Sequence, residues 1–285
     1  MKQLVKNEIM VLNLDSQFKP FGKKEISFES FVFNGGEPHI RIEEFDNKNS
    51  IYVTHRINSF NDLGLFCIAI DALRRMNVEK IHAFIPYFPG ARQDRVMVMG
   101  ESLTVKVYTK IINGLELDSV TIFDPHSDVT PALLNNSISI QNTQFIEKVL
   151  ANIPKDFILI SPDAGASKKI YKLASQLGIS AVLECGKKRD VKTGSLSGFS
   201  VPVDDLKNKP CLIVDDICDG GGTFLGLGDE LKKKNSGDLF LAVSHGIFSK
   251  GFEELAKIFK KTFTTDSIKT INHKSVIQTQ LNQIL

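Results

Sequence analysis

Cysteine is scarce and scattered. Cys67, Cys185, Cys211 and Cys218 are the four in 285 residues, and no two form a C-x-x-C pair. That excludes a disulfide framework and a structural zinc, and a reducing compartment is expected. An excess of charge of one sign is missing too. Thirty-five Lys and Arg stand against 33 Asp and Glu, a formal net charge of +2. A bulk nucleic-acid binder is thereby excluded, and any charged ligand must be handled by a local site. Long apolar runs are absent: the longest, residues 63–70, lies between Asp62 and Asp71, far short of the about 20 residues of a membrane span. Residues 1–14 carry Lys2, Lys6 and Glu8 and no long apolar segment of the kind a secretory leader needs. The expectation is a soluble, cytoplasmic protein with neither nucleic acid nor membrane as partner.

What the sequence does contain is ordinary for a globular chain, with 42% hydrophobic and 24% charged residues, so disorder, collagen and coiled coil are excluded. At about 150 residues per domain the length implies two domains. Short apolar runs alternate with turns and helical stretches. The runs are 80–86 (KIHAFIP), 119–123 (SVTIF), 157–160 (FILI), 211–214 (CLIV) and 239–243 (LFLAV). Near-continuous apolar strands alternating with helices predict mostly parallel sheets covered on both faces, an α/β fold. Helices are expected over 61–76, over 102–113 with Ser102 as N-cap, and over 166–177 and 223–234. Asn152-Ile153-Pro154-Lys155 interrupts the pattern, and the boundary is set between an N-terminal domain, 1–145, and a C-terminal domain, 146–285. The second half repeats the strand, Asp-bearing turn and helix of the first.

The sharpest segment is 211–224, CLIVDDICDGGGTF. An apolar strand ends in Asp215 and Asp216; Asp219, Gly220, Gly221, Gly222 and Thr223 follow, and a helix begins. Glycines let backbone N–H groups turn toward an anion, and the helix N-terminus adds its positive dipole end. Thr223 adds a hydroxyl donor. Two carboxylates in front of a phosphate cradle suit the hydroxyls of a cis-diol or a metal ion, so the segment reads as a grip for ribose 5-phosphate.

This turn resembles the loop shared by type I phosphoribosyltransferases and ribose-phosphate diphosphokinases (PRPP synthetases), and by itself does not separate the two. The segment 86–95, PYFPGARQDR, does: it resembles the diphosphokinase signature, which the transferases lack. A Pro-bounded turn there presents Arg92 as a bidentate phosphate ligand and Gln93 as an adaptable amide. The resemblance to the diphosphokinase family implies two tandem phosphoribosyltransferase-type domains and formation of PRPP and AMP from MgATP and ribose 5-phosphate.

Site residues follow from the same resemblance. It assigns ATP to Arg92, Gln93 and His126 and, through the 33–37 loop (FNGGE), to Phe33, Gly35, Gly36 and Glu37, which in the family pack the adenine from a neighbouring subunit. It assigns magnesium to His126 and Asp163, diphosphate to the Asp163, Ala164 and Gly165 loop, and catalysis to Lys187 and Arg189 in the basic stretch 186–198. Arg189 joins Asp215, Asp216, Asp219, Gly220, Gly221, Gly222 and Thr223 in holding ribose 5-phosphate. The 244–249 motif (SHGIFS) is expected to support the sugar site. A homo-oligomer, a dimer or a hexamer built from dimers, is implied. The chain departs from the family in residues 1–30, which lack its Ser-His-Pro-Glu-Leu segment, and in 97–101 (MVMGE), which replace a more basic stretch. Two alternatives stay open: a silent synthetase-associated regulatory subunit, and a phosphoribosyltransferase that consumes PRPP.

Overall fold

The computed structural model describes residues 10–21, 24–46, 48–189 and 196–285, with the side chains of 187–189 and 196–197 left out of the description. The chain divides into two compact units, one of residues 1–141 and 280–285, the other of residues 142–279. The expected boundary at 145/146 falls inside a helix of the second unit. Its residues Phe145, Ile146 and Val149 are buried, Thr143 Oγ1 donates to Gln176 Oε1 (3.0 Å), and the preceding Asn142 donates to Ser244 Oγ (3.2 Å), so packing carries the division a few residues upstream.

In the first unit the chain runs β1 (Met10–Asn13), β2 (Phe28–Val32), β3 (Pro38–Ile42), β4 (Ser50–Thr54), α1 (Phe60–Arg75), β5 (Lys80–Ile85), α2 (Thr104–Asn113), β6 (Ser119–Phe123), α3 (Val129–Leu133) and β7 (Ser137–Ile140). A five-stranded parallel sheet has the order β1-β4-β5-β6-β7, and β2 and β3 form a separate antiparallel hairpin. Every residue of β6 is buried, as a strand covered on both faces requires. Phe66, Ile70 and Leu73 of α1 join Val53, Ile81 and Ile85 in the core. Ser59 caps α1 by accepting the Asp62 N–H (3.1 Å). Although the family's first segment is missing, a first strand is present and pairs in parallel with β4.

In the second unit the order along the chain is α4 (Thr143–Leu150), β8 (Ile158–Ser161), α5 (Ala164–Leu177), β9 (Val182–Glu184), β10 (Gly186–Arg189), β11 (Leu196–Ser200), β12 (Cys211–Cys218), α6 (Gly222–Lys233), β13 (Leu239–Gly246), α7 (Glu253–Ile258), β14 (Lys261–Thr265) and β15 (Val276–Thr279). The six-stranded parallel sheet reads β15-β14-β13-β12-β8-β9, with β10 and β11 a separate antiparallel pair. From β8 the chain winds outward to β9 and then returns to the other side of β8 as β12. Winding thus reverses between β8 and β12, and the loops that leave these two strands flank a topological switch point, where open α/β sheets bind ligands. No helix among the described residues is long and apolar enough to cross a membrane.

Local expectations change at several elements, and the strand expected over 239–243 continues to Gly246. Strand β12 does not stop at Val214 but continues to Cys218, because β13 runs beside it that far and pairs Ile217 with His245 and Cys218 with Gly246. Helix α2 begins at Thr104 with no side-chain cap: Ser102 instead shares a hydrogen bond with Thr104 Oγ1 (2.6 Å), and the Val105 N–H donates to the Gln93 carbonyl (3.3 Å), tying the helix start to the preceding loop. Helix α5 begins at Ala164, two residues earlier than expected, because Asp163 caps it.

Candidate functional site

The paired carboxylates stand in the last half of β12, just before the turn. The Asp216 N–H donates to Asp215 Oδ1 (2.9 Å). Burial pushes the Asp215 carboxyl well above its ordinary range, and the adjacent Asp216 and the nearby Asp163 push in the same direction. Two strands therefore bring three carboxylates to one end of the sheet, a charge arrangement that favours a cation or hydroxyl donors as ligand.

Beyond the carboxylates the chain turns sharply. Gly221 has φ +77°, which favours glycine, and a Cβ there would crowd Leu255 Cδ2 at 3.2 Å. Helix α6 starts at the next residue. The amides of Gly222, Thr223 and Phe224 have no carbonyl one turn back to which they could donate, which leaves them to an anion.

The 244–249 segment braces this turn from the adjacent strand. The Ile247 and Phe248 N–H groups donate to the Cys218 carbonyl (2.9 and 3.1 Å), and the Ser249 N–H to the Asp219 carbonyl (3.1 Å). Ser249 Oγ donates to Asp219 Oδ1 (2.7 Å). Phe248 reaches these contacts with φ +47°, a strained value for a bulky side chain. It is buried, and its ring lies 5.0 Å from that of Phe252.

The second loop at the switch point follows β8. Asp163 is the N-cap of α5, with Oδ1 accepting the Ala166 N–H (3.1 Å). Ser161 and Ser167 both donate to the Asp163 carbonyl (3.0 and 3.2 Å). Gly165 leaves room for the cap, since a Cβ there would lie 3.1 Å from Asp163 Oδ1. Among the described residues no three His, Cys, Asp or Glu side chains form a metal cage. Magnesium needs none: it binds through one or two carboxylates together with substrate phosphates and water. The hard oxygens of Asp163, Asp215 and Asp216 fit that requirement. Lys187 and Arg189 lie on β10, opposite Phe199 and Leu196 of β11. Their side chains, and residues 190–195 between the strands, lie outside the described residues.

The remaining expected ligands belong to the first unit. After β5, Phe88 and Ala91 are buried, while Arg92 and Gln93 are exposed. Gly90 makes that turn with φ +72°, where a Cβ would lie 3.2 Å from Thr104 and Tyr108 side-chain atoms. Partial burial opposes ionisation of Asp94, but hydrogen bonds from Ser127 and Arg95 and the nearby His126 hold its carboxyl below the ordinary range. The loops after β5 and β6 thus meet at Asp94, which brings His126 to the Arg92–Gln93 loop. Phe33, Gly35, Gly36 and Glu37 form the tip of the β2–β3 hairpin. The Phe33 N–H donates to the Glu37 carbonyl (2.9 Å), Gly36 has φ +98°, and Phe31 and Phe33 are each 52% exposed.

Sequence reasoning missed Asp94 and Ser249 as individual residues. Asp94 lay inside a quoted motif, next to Arg92 and Gln93. Ser249 lay at the end of the 244–249 motif, but its bond to Asp219, 30 residues away, had no local signal.

Comparison with known proteins covers both units. Residues 17–115 match the N-terminal domain of ribose phosphate pyrophosphokinase, and residues 133–283 match the phosphoribosyl transferase domain. A ribose-phosphate pyrophosphokinase of Mycoplasma genitalium is 30% identical over 258 residues, 86% of this chain and 76% of the relative. One from Thermococcus kodakarensis is 25% identical over 260 residues, 90% of this chain and 91% of the relative. In fold, the chain is similar to phosphoribosylpyrophosphate synthetase from Mycobacterium smegmatis, with TM-score 0.82 at 21% identity, covering 98% of this chain and 96% of that one. With both units matched in order and a relative at 30% identity across most of its length, this chain belongs to the ribose-phosphate pyrophosphokinase family.

Proposed function

We propose that the protein transfers the β,γ-diphosphoryl group of ATP to the C1 hydroxyl of ribose 5-phosphate, giving PRPP and AMP. The observation that carries this reading is the switch point between β8 and β12, where a carboxylate pair, a glycine turn and a helix N-terminus stand together in a chain whose first unit matches the pyrophosphokinase N-terminal domain.

Such a transfer asks little covalent work of the protein and much positioning. Asp215 and Asp216 accept hydrogen bonds from the ribose 2- and 3-hydroxyls, and the 219–223 turn holds the 5-phosphate, which orients the anomeric hydroxyl. Phe33, Gly35, Gly36 and Glu37 hold the adenine, and Arg92, Gln93 and His126 the nucleotide phosphates. The 163–165 loop receives the diphosphate. Lys187 and Arg189 neutralise negative charge that develops as AMP leaves, and Arg189 also contacts the sugar phosphate. His126 would hold the magnesium that comes with ATP and Asp163 a second magnesium, and such ions would supply charge screening of the phosphates. The exposed aromatic hairpin serves a neighbouring copy, so the working form is a dimer or a hexamer of dimers.

The test is an assay of the purified chain with MgATP and ribose 5-phosphate, with nucleotides and sugar phosphates separated by chromatography. Equal amounts of AMP and PRPP, abolished by chelation of magnesium, are expected. ADP in place of AMP would mean ordinary γ-phosphoryl transfer and would overturn the reaction proposed.

A further inference from the structure

We propose that Lys250 is an additional ligand for the sugar 5-phosphate and a determinant of selectivity for phosphorylated over unphosphorylated pentose. This rests on the reading of the 219–223 turn as the phosphate cradle. That turn has one side-chain donor, Thr223, and no cation of its own. Asp219 within it, and Asp215 and Asp216 just before it, bring carboxylates to the same loop. A phosphate monoester carries close to two negative charges at neutral pH, whereas a helix N-terminus offers about half a positive charge. A full cation fixed beside the turn, additional to Arg189, offsets that imbalance further, and Lys250 stands there.

Its backbone is fixed on both sides. Ser249 is tied to Asp219 through its N–H and its hydroxyl, and Phe248 and Gly251 turn the chain with φ +47° and +75°. The lysine stem then lies across Gly220: a Cβ at that position would be 3.4 Å from Lys250 Cδ and Cε and 3.6 Å from Cγ. The stem thus lies in van der Waals reach of the turn at Gly220, and the ammonium, one bond beyond Cε, stays beside it. Lys250 is exposed and has no hydrogen bond or ion pair among the described residues. It has a location but no structural task there. Lys269, by contrast, donates to the Ile247 carbonyl (2.5 Å) and steadies the same segment.

Lys250→Met keeps the stem and removes the charge, and Lys250→Arg restores the charge. Calorimetry of the full-length protein with ribose 5-phosphate, together with steady-state kinetics, is expected to give a Kd and a KM for ribose 5-phosphate about tenfold higher in Lys250→Met, equivalent to ~1.4 kcal/mol. The KM for ATP should stay unchanged, the dependence of sugar-phosphate binding on salt should be shallower, and Lys250→Arg should recover most of the affinity. Wild-type affinity in Lys250→Met, or equal changes in both KM values, would overturn the role of Lys250 alone. Failure of the wild-type protein itself to bind ribose 5-phosphate would overturn the reading of the sugar site, and this proposal with it.

Discussion

At the scale of single residues, the candidate site is built against stability. Asp215 is desolvated beside Asp216 and within reach of Asp163, and its carboxyl is raised well above the ordinary 3.8. The folded state therefore holds this proton more tightly than the unfolded chain does. The stability linked to it is present below 3.8 and is lost as pH rises through the higher folded value. Where Asp215 is ionised, Asp215→Asn removes one of the repelling charges while its amide oxygen can still accept the Asp216 N–H. The variant is expected to melt a few degrees above wild type without ligand, since about 1 kcal/mol corresponds to roughly 2–4 °C at this size. The gain should shrink in acid, where wild type regains its proton, and ribose 5-phosphate binding should be lost at every pH. Differential scanning fluorimetry across pH checks this; a lower melting temperature at neutral pH would contradict it. The carboxylate pair was legible in the sequence because its members and the glycine turn are neighbours in the chain. The Asp219–Ser249 bond was not, because nothing local marks it.

At the scale of elements, the first unit is pinned by an ion pair between the loops that leave two adjacent strands. Arg56, just past β4, donates through Nε to Asp15 Oδ2 (2.6 Å), with side-chain exposures of 4% and 22%, and its guanidinium lies 5.3 Å from the Phe18 ring centre. Breaking a buried pair from one side costs about 3–5 kcal/mol, and the partial exposure of Asp15 puts Arg56→Ala at the low end, ~3 kcal/mol. Burial raises the Asp15 carboxyl, but the hydrogen bond and charge of Arg56 outweigh it and leave it below 3.8. The pair's contribution is thus present above 3.8 and is lost as pH falls through the lower folded value. Urea titrations at neutral and acidic pH should show the deficit of Arg56→Ala narrowing in acid; an unchanged deficit would mean that packing on Phe18 is the whole effect. Beside the pair, His55 is buried, and burial holds it below its ordinary 6.5, which adds to acid sensitivity in the same direction. Strand ends were not legible even where the strand was. The run at 211–214 was plain as a strand, but its extension to Cys218 depends on pairing with β13, a partner that propensity does not reveal.

At the scale of the whole molecule, the proposed assembly has a physical motive in the β2–β3 hairpin, where Phe31, Val32 and Phe33 are 52%, 56% and 52% exposed. Three such side chains together at a hairpin tip are a natural contact for another protein surface. Sedimentation velocity is expected to find a dimer or a larger species, and activity should fall on dilution below its dissociation constant. A monomer with undiminished activity on dilution would exclude an adenine loop shared between copies. The sequence by itself determined the α/β class, the positions of β5, β6, β8, β12 and β13, the two-domain plan, and the family to which the motifs point. All of these rest on short-range pattern: apolar runs, glycine turns and contiguous motifs. Only the tertiary structure decided which strands neighbour one another. It thereby decided that the Asp163 and Asp215 loops flank one switch point, that Asp94 joins the loops after β5 and β6, and that Ser249 and Lys250 lie against the glycine turn that follows β12. Those relations are set by sheet order and by burial, and residues tens of positions apart carry no record of them until the sheet forms.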